Sequence, residues 1–215
     1  MKRLGILLSG RGSNFVAIAE AIKSHRLLGA EICIVLSNVA DAPGVRAAQK
    51  MGLKTAVVES RGRSRDEHDM EVIARLHQHK ADLVILAGYM RILSPRFIAE
   101  FPERILNIHP SLLPDFPGMH AHHDALAAGV KESGCTVHFV NERVDDGAII
   151  LQRSVPVLPG DTEETLAARV LEQEHGAYPE AIARVLSAQY ECRAGFYVKR
   201  EGSDDNARIP RDLRS

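Results

Sequence analysis

No apolar run in this chain approaches the roughly 20 residues that a membrane-spanning helix needs. The start, Met1-Lys-Arg-Leu-Gly-Ile-Leu-Leu-Ser-Gly10, is basic and then apolar in the manner of a signal peptide. Its apolar stretch is too short, however, and it leads into a glycine loop with no cleavage-type site. Charge of one sign is also missing: 27 Lys and Arg stand against 28 Asp and Glu, a net charge of −1. That balance gives no electrostatic case for nucleic acid or an anionic membrane as a partner. Cysteine is scarce, and Cys33, Cys135 and Cys192 are isolated, odd in number and without a CxxC pair. This excludes a disulfide framework and a cysteine zinc site, and it fits a reducing, cytoplasmic compartment. Repeats and linkers are absent too. With 215 residues, 45% of them hydrophobic, the chain has enough material for one well-buried core. The expectation is a single domain over residues 1–200 and a flexible polar tail over 201–215.

What is present is an alternation of strand and helix patterns. Leu4 to Ser9 reads as a buried strand closed by Gly10-Arg-Gly12, and Phe15, Ile18 and Ile22 then mark one helical face. Ile32 to Leu36, Thr55 to Val58 and the wholly apolar Leu83 to Ala87 read as further strands. Between them, Asp41 is placed to cap a helix that runs to Met51 and stops at Gly52. Ser64-Arg-Asp-Glu67 matches a capping box, followed by Met70, Ile73 and Leu76 on one face. The second half differs, with a helix near Asp124 to Val130 and two strands, Cys135 to Val140 and Ala148 to Val155. The short turn Asn141-Glu-Arg-Val-Asp-Asp-Gly147 makes that pair antiparallel. Asp161-Thr-Glu-Glu164 offers a capping box for a helix to about His175, with Pro179 starting its continuation. The fold class expected is α/β: a doubly wound, mostly parallel sheet, Rossmann-like in its first half, with an antiparallel element in the second.

Several groups could do chemistry. Arg104 to Gly118 begins as a strand and ends in a turn rich in proline. Period-two alternation puts Ile105, Asn107 and His109 on one side, with Leu106 and Ile108 on the other. An amide donor and an imidazole side by side at a strand end suit work on a carbonyl; the alternative is a strand end whose polar groups satisfy nearby backbone. Asp145 and Asp146 lie in a turn that must reach a sheet end, where a carboxylate could orient His109 and move protons. Ser9-Gly-Arg-Gly-Ser-Asn14 joins a strand to a helix, and its amides suit a phosphate. It lacks the Walker lysine, and Phe15 stands where a third glycine would complete G-x-G-x-x-G, so a tight turn that binds nothing is the other reading. Met119-His-Ala-His-His123 resembles a metal cluster but has no cysteine or carboxylate motif attached, which favours no metal. Gly88-Tyr-Met-Arg-Ile-Leu93 leaves a strand end and could line a pocket for a flat aromatic ligand or simply pack on the core.

Asn107-Ile-His-Pro-Ser-Leu-Leu-Pro114, followed by Phe-Pro-Gly118 and His120, resembles the signature of the folate-dependent formyltransferases. Ser9 to Asn14, Leu86 to Leu93, Val137-His-Phe-Val140 and Gln173-Glu-His175 narrow the resemblance to the phosphoribosylglycinamide formyltransferases of purine synthesis. The match runs in order from about Leu4 to about Val198. It implies an enzyme that moves the formyl group of 10-formyltetrahydrofolate, a co-substrate, to the amine of glycinamide ribonucleotide without a metal. Asn107, His109 and Asp145 would be the catalytic group, with Asp145 and not Asp146 at the matching position. Gly12, Ser13, Asn14 and Glu174 would hold glycinamide ribonucleotide. Arg65, Met90, Arg91, Ile92 and Leu93, with Asn107 and the turn residues Asn141, Glu142, Arg143, Val144 and Asp145, would flank the folate. Leu171 departs from the pattern, because relatives can carry a polar residue there. The partners implied are small molecules, with no nucleic acid or membrane and with a homodimer allowed. Two related enzymes compete with this reading. Methionyl-tRNA formyltransferase carries an extra RNA-binding domain, and formyltetrahydrofolate hydrolase usually carries a domain that would have to precede Leu4. A non-catalytic nucleotide-binding module is the rival outside the class.

Overall fold

The apolar runs pair into one sheet. In the computed structural model, which describes residues 1–187 and 189–200, that sheet has nine strands among the described residues. The tail expected over 201–215 lies outside them. In chain order the elements are β1 (Lys2–Leu8), α1 (Ser13–Lys23), β2 (Ala30–Ser37), α2 (Pro43–Lys50), β3 (Thr55–Val57), α3 (Arg65–Gln78), β4 (Leu83–Leu86) and α4 (Pro95–Glu100). There follow β5 (Ile105–His109), α5 (Ala121–Ala127), β6 (Glu132–Phe139), β7 (Ile149–Pro156), α6 (Glu163–Leu186), β8 (Tyr190–Arg193) and β9 (Phe196–Lys199). The strand order is β3-β2-β1-β4-β5-β6-β7-β9-β8. Pairings from β3 across to β5 are parallel, and β5-β6 and β6-β7 are antiparallel, the mixed α/β sheet expected from the sequence.

Helices cover both faces, so the inner strands are apolar on each side. Leu4, Ile6 and Leu8 of β1 join the core under α1 and α6, while Leu7 joins the opposite core with Val72, Ile73 and Leu76 of α3. The same alternation holds on β5: Leu106 and Ile108 belong to the first core and Ile105 to the second. Because β1 lies between β2 and β4, the chain changes direction across the sheet at that point. Such a switch opens a crevice beyond the carboxyl ends of the two strands, and here the glycine loop and residues 88–94 flank it.

Helix ends follow local chemistry, with some corrections. The Ser64 capping box forms as expected, with Glu67 returning the bond. Asp41 does not cap α2: the N-cap is Ala42, Pro43 opens the helix without an N–H to satisfy, and the Asp41 carbonyl instead accepts from Arg46. The other end stops at Gly52, at φ +72, whose N–H reaches Gln49 O while Leu53 N–H reaches Ala48 O, a Schellman closure. The second box is shifted by one residue, Thr162 with Thr165, because Asp161 is engaged by Arg169 and by Leu158 N–H. The helix does not break at His175; α6 runs unbroken for 24 residues through Pro179. Met70 is 48% exposed, and α3 instead buries His68 and Asp69 beside Val72, Ile73 and Leu76. The helix expected over 124–130 begins earlier, at Ala121. Neither α4 nor the β8–β9 hairpin was anticipated.

Tyr178 ties α6 to the sheet just below the crevice. Fully buried, its hydroxyl lies 3.0 Å from Leu86 O at the end of β4 and 2.9 Å from Leu106 O near the start of β5. Tyr178→Phe removes this donor and leaves a buried carbonyl short of a partner. The expected loss is about 1 kcal/mol, read as a Tm lowered by roughly 2–4 °C; an unchanged Tm would show that the hydroxyl contributes nothing.

Candidate active site

At the carboxyl end of β5, antiparallel pairing with β6 places Asn107 opposite His138 and His109 opposite Thr136. The β6–β7 turn folds back over this end because Asp145 adopts φ +52, a left-handed conformation that aspartate tolerates better than most residues. Its carboxylate then sits beside His109, the Gly118 amide and His138. Oδ2 lies 3.3 Å from His109 Nδ1 and accepts the Gly118 N–H at 2.9 Å, and Oδ1 is 3.6 Å from His138 Nε2. Burial pushes the Asp145 carboxyl up, but the His138 and Gly118 hydrogen bonds and the nearby His109 outweigh it and hold the group below its usual range. Asp146, by contrast, pairs with Arg143 at 3.1 Å on the surface.

His109 is buried and has both ring nitrogens engaged. Nε2 lies 2.9 Å from the Phe116 carbonyl and Nδ1 faces Asp145, an arrangement that only the doubly protonated ring satisfies in full. Asn107 Nδ2 lies 3.2 Å from His138 Nε2, and His138 Nδ1 donates to Phe139 O at 2.8 Å. His138 was not singled out by sequence reasoning. The signal that could have found it is its place opposite Asn107, which needs the register of β5 and β6. Polar contacts hold the loop after His109. Thr136 Oγ1 accepts Leu113 N–H and donates to Ser111 O, Gln152 bridges Leu113 O and Thr136, and Ser111 Oγ donates to Asp115 O.

A cleft of about 670 Å³ opens beside this group. Gly12, Ser13, Asn14 and Glu174 line it, with Met90, Pro110, His122 and Leu171. Gly12 is the N-cap of α1 at φ +71, and a Cβ there would meet Gly44 Cα at 3.1 Å, so only glycine suits the position. Asn14 Nδ2 donates to Glu174 Oε2 at 2.7 Å, and Asn14 Oδ1 is buried without a partner. Burial raises the Glu174 carboxyl above its usual range against the opposing Asn14 bond. A desolvated acid and an unsatisfied amide oxygen, both at the foot of a helix N-terminus, suit a ligand with an anionic end and hydroxyl or amine donors.

The remaining candidates are more scattered. Met90 and Ile92 project into solvent, Leu93 is buried and Arg91 is half-buried. Asn141 accepts Arg143 N–H within the turn, while Glu142, Arg143 and Val144 are exposed. Arg65 is exposed on the first turn of α3 and makes no hydrogen bond or ion pair among the described residues. Of the histidine run, His122 lines the cleft and His123 pairs with Asp124 at the surface. Among the described residues no three His, Cys, Asp or Glu side chains gather as a metal-holding group, and no helix is long and apolar enough to cross a membrane.

Known proteins share this arrangement of elements. Residues 2–182 match the family model described as formyl transferase. The chain is 46% identical to phosphoribosylglycinamide formyltransferase of Escherichia coli over 83% of its own length and 84% of the relative's. It is 47% identical, over 95% of its length, to the trifunctional purine biosynthetic protein adenosine-3 of Drosophila pseudoobscura, of which it spans only 15%. The crystal structure of glycinamide ribonucleotide transformylase 1 from Symbiobacterium toebii superposes with a TM-score of 0.89 at 44% identity, covering 93% of this chain and 94% of that one. The chain therefore belongs to the formyl transferase family.

Proposed function

We propose that this chain transfers the formyl group of 10-formyltetrahydrofolate to the amine of glycinamide ribonucleotide, giving formylglycinamide ribonucleotide in purine synthesis. The observation that carries the reading is the Asp145 carboxylate joined to His109 and His138 beside Asn107, next to a glycine-loop cleft. Family membership and the names of the relatives support it. Residues 1–200 act as one formyltransferase domain on small molecules in the cytoplasm.

The ribonucleotide lies in the cleft, its phosphate on the amides of Gly12, Ser13 and Asn14 at the N-terminus of α1 and its glycinamide end toward Glu174. The donor lies on the other side, against Met90 to Leu93 and the 141–145 turn, with Arg65 and Arg91 near its acidic end. The amine nitrogen attacks the formyl carbon and a C–N bond forms, leaving a tetrahedral oxyanion. Asn107 and the protonated His109 donate to that oxygen; one such donor is worth roughly 100- to 1,000-fold in rate. The bond to N10 of the folate then breaks, and the proton given up by the amine passes through Asp145 and a water to N10. Asp145 also orients the His109 ring. For His109 Nε2 to reach the oxyanion, its bond to the Phe116 carbonyl must open, so the loop after Pro114 moves as substrate arrives. His138 acts through Asn107 by fixing its amide.

Four outcomes are expected. Tetrahydrofolate release from 10-formyltetrahydrofolate should require glycinamide ribonucleotide. His109→Ala and Asp145→Ala should each lower kcat by at least about 100-fold in folded protein; wild-type rates in both would mean that other groups do the chemistry. Gly12→Val, which forces a side chain into a left-handed residue against Gly44, should raise KM for glycinamide ribonucleotide far more than for the folate. Equal effects would argue against the phosphate assignment. Glu174→Gln tests the buried acid. Because its folded pKa is raised, the native state binds the proton more tightly than the unfolded chain. Wild-type stability is then highest below the ordinary glutamate range and falls as pH rises through the folded pKa. The Tm advantage of Glu174→Gln over wild type should grow across that window and then level off, while KM for glycinamide ribonucleotide rises. A pH-independent Tm difference would place the carboxyl outside the buried, desolvated setting.

A further inference from the structure

The segment from Gly88 to Ser94, between β4 and α4, is pinned at both ends by side chains from elsewhere in the chain. At its far end the buried Asp69 accepts Ser94 N–H through Oδ2 at 2.7 Å, and Ser94 Oγ accepts Phe97 N–H to cap α4. Asp69 is itself backed by His68, whose Nε2 lies 2.9 Å from Val58 O. At its near end Tyr89 packs into the second core and one residue, Ser9, supplies the polar contacts. Ser9 N–H donates to Gly88 O at 3.0 Å, and Ser9 Oγ accepts Met90 N–H at 2.8 Å while donating to Asn38 Oδ1 at 2.5 Å. Both roles of the hydroxyl are filled. Between the pins, Tyr89 and Leu93 are buried in the second core, while Met90 and Ile92 are 70% and 59% exposed and leave the Met90 stretch of backbone facing the crevice.

Ser9 also opens the glycine loop, so one side chain joins the two walls between which the substrates are proposed to meet. We infer that Ser9 is a positioning residue, its hydroxyl holding the 88–93 segment in register with the glycine loop so that the formyl donor is presented to the bound ribonucleotide at a fixed separation. The inference rests on the transfer reading above. Without Oγ, Met90 N–H loses the one acceptor it has among the described residues. The segment then samples more conformations, and a ligand seated on it must bear the cost of ordering it. The phosphate side is held independently, by Gly44 N–H on Gly10 O and by the close approach of Gly12 to Gly44 and Leu8, and keeps its shape.

The test measures Kd for tetrahydrofolate and for glycinamide ribonucleotide separately, in the full-length wild type, Ser9→Ala and Ser9→Thr, with steady-state kinetics alongside. Loss of one hydrogen bond should weaken tetrahydrofolate by roughly three- to tenfold in Ser9→Ala and raise the donor KM in proportion. The Kd for glycinamide ribonucleotide should stay within about twofold, and Ser9→Thr, which keeps the hydroxyl, should restore the donor affinity. Unchanged tetrahydrofolate binding in Ser9→Ala would overturn the inference, as would equal weakening of both ligands or no rescue by folded Ser9→Thr. Wild-type protein that binds neither ligand would instead overturn the transfer reading, and that result is separate from any variant's.

Discussion

The Asp145 carboxylate is the contact on which the rest of the site depends. It is the point where three segments distant in sequence meet: the end of β5 through His109, the middle of the sheet through His138, and the loop after Pro114 through Gly118 N–H. A carboxylate taken this far from water is tolerable because Oδ2 has the Gly118 N–H and His109 beside it, and removing one partner would leave the buried charge less compensated. The same donors hold it ionised. One arrangement therefore closes the β6–β7 turn over the strand ends, orients His109 and provides a base for the proposed proton transfer.

The sheet decides where this happens. Strand β1 lies between β2 and β4, so the connections leaving β1 and β4 diverge and a crevice forms between them. The glycine loop and the 88–94 segment occupy its two sides, and α6 closes it with Glu174 and Leu171. Strand β5 is the next neighbour, which brings Asn107 and His109 alongside. Tyr178 anchors α6 at the end of β4 and near the start of β5, so the helix carrying Glu174 is fixed to the strand that carries Asn107 and His109. Leu171 presents an apolar surface to the cleft beside the polar Asn14, Glu174, Glu164 and His122.

Much of this was legible in the sequence, and the parts that were not share a cause. The first five strands, the glycine loop, the Ser64 capping box and the alternation on β5 follow from periodicity and local hydrogen-bonding chemistry, which act within a few residues. The misplaced caps at Asp41 and Asp161 show where local pattern yields to tertiary contact. Pro43 sets the start of α2, and Arg169 captures Asp161 from two turns further along α6. Pro179 reads as a break, yet α6 continues because its buried face, from Leu166 to Ile182, packs against the sheet. Met70 fits a helical face by spacing, but α3 is rotated to bury His68 and Asp69, whose hydrogen bonds to Val58 and Ser94 lie outside the helix.

The sequence by itself determined the α/β class, the side of β5 on which Asn107 and His109 stand, and the family. Only the tertiary structure decided that His138 holds Asn107, that Phe116 occupies His109 Nε2, and that Ser9 spans the two walls of the crevice. The physical reason is range. Backbone geometry and side-chain period are set by neighbours along the chain. A hydrogen bond between Asn107 and His138, or between Ser9 and Met90, depends instead on strand register and on turns that converge only when the whole sheet is formed.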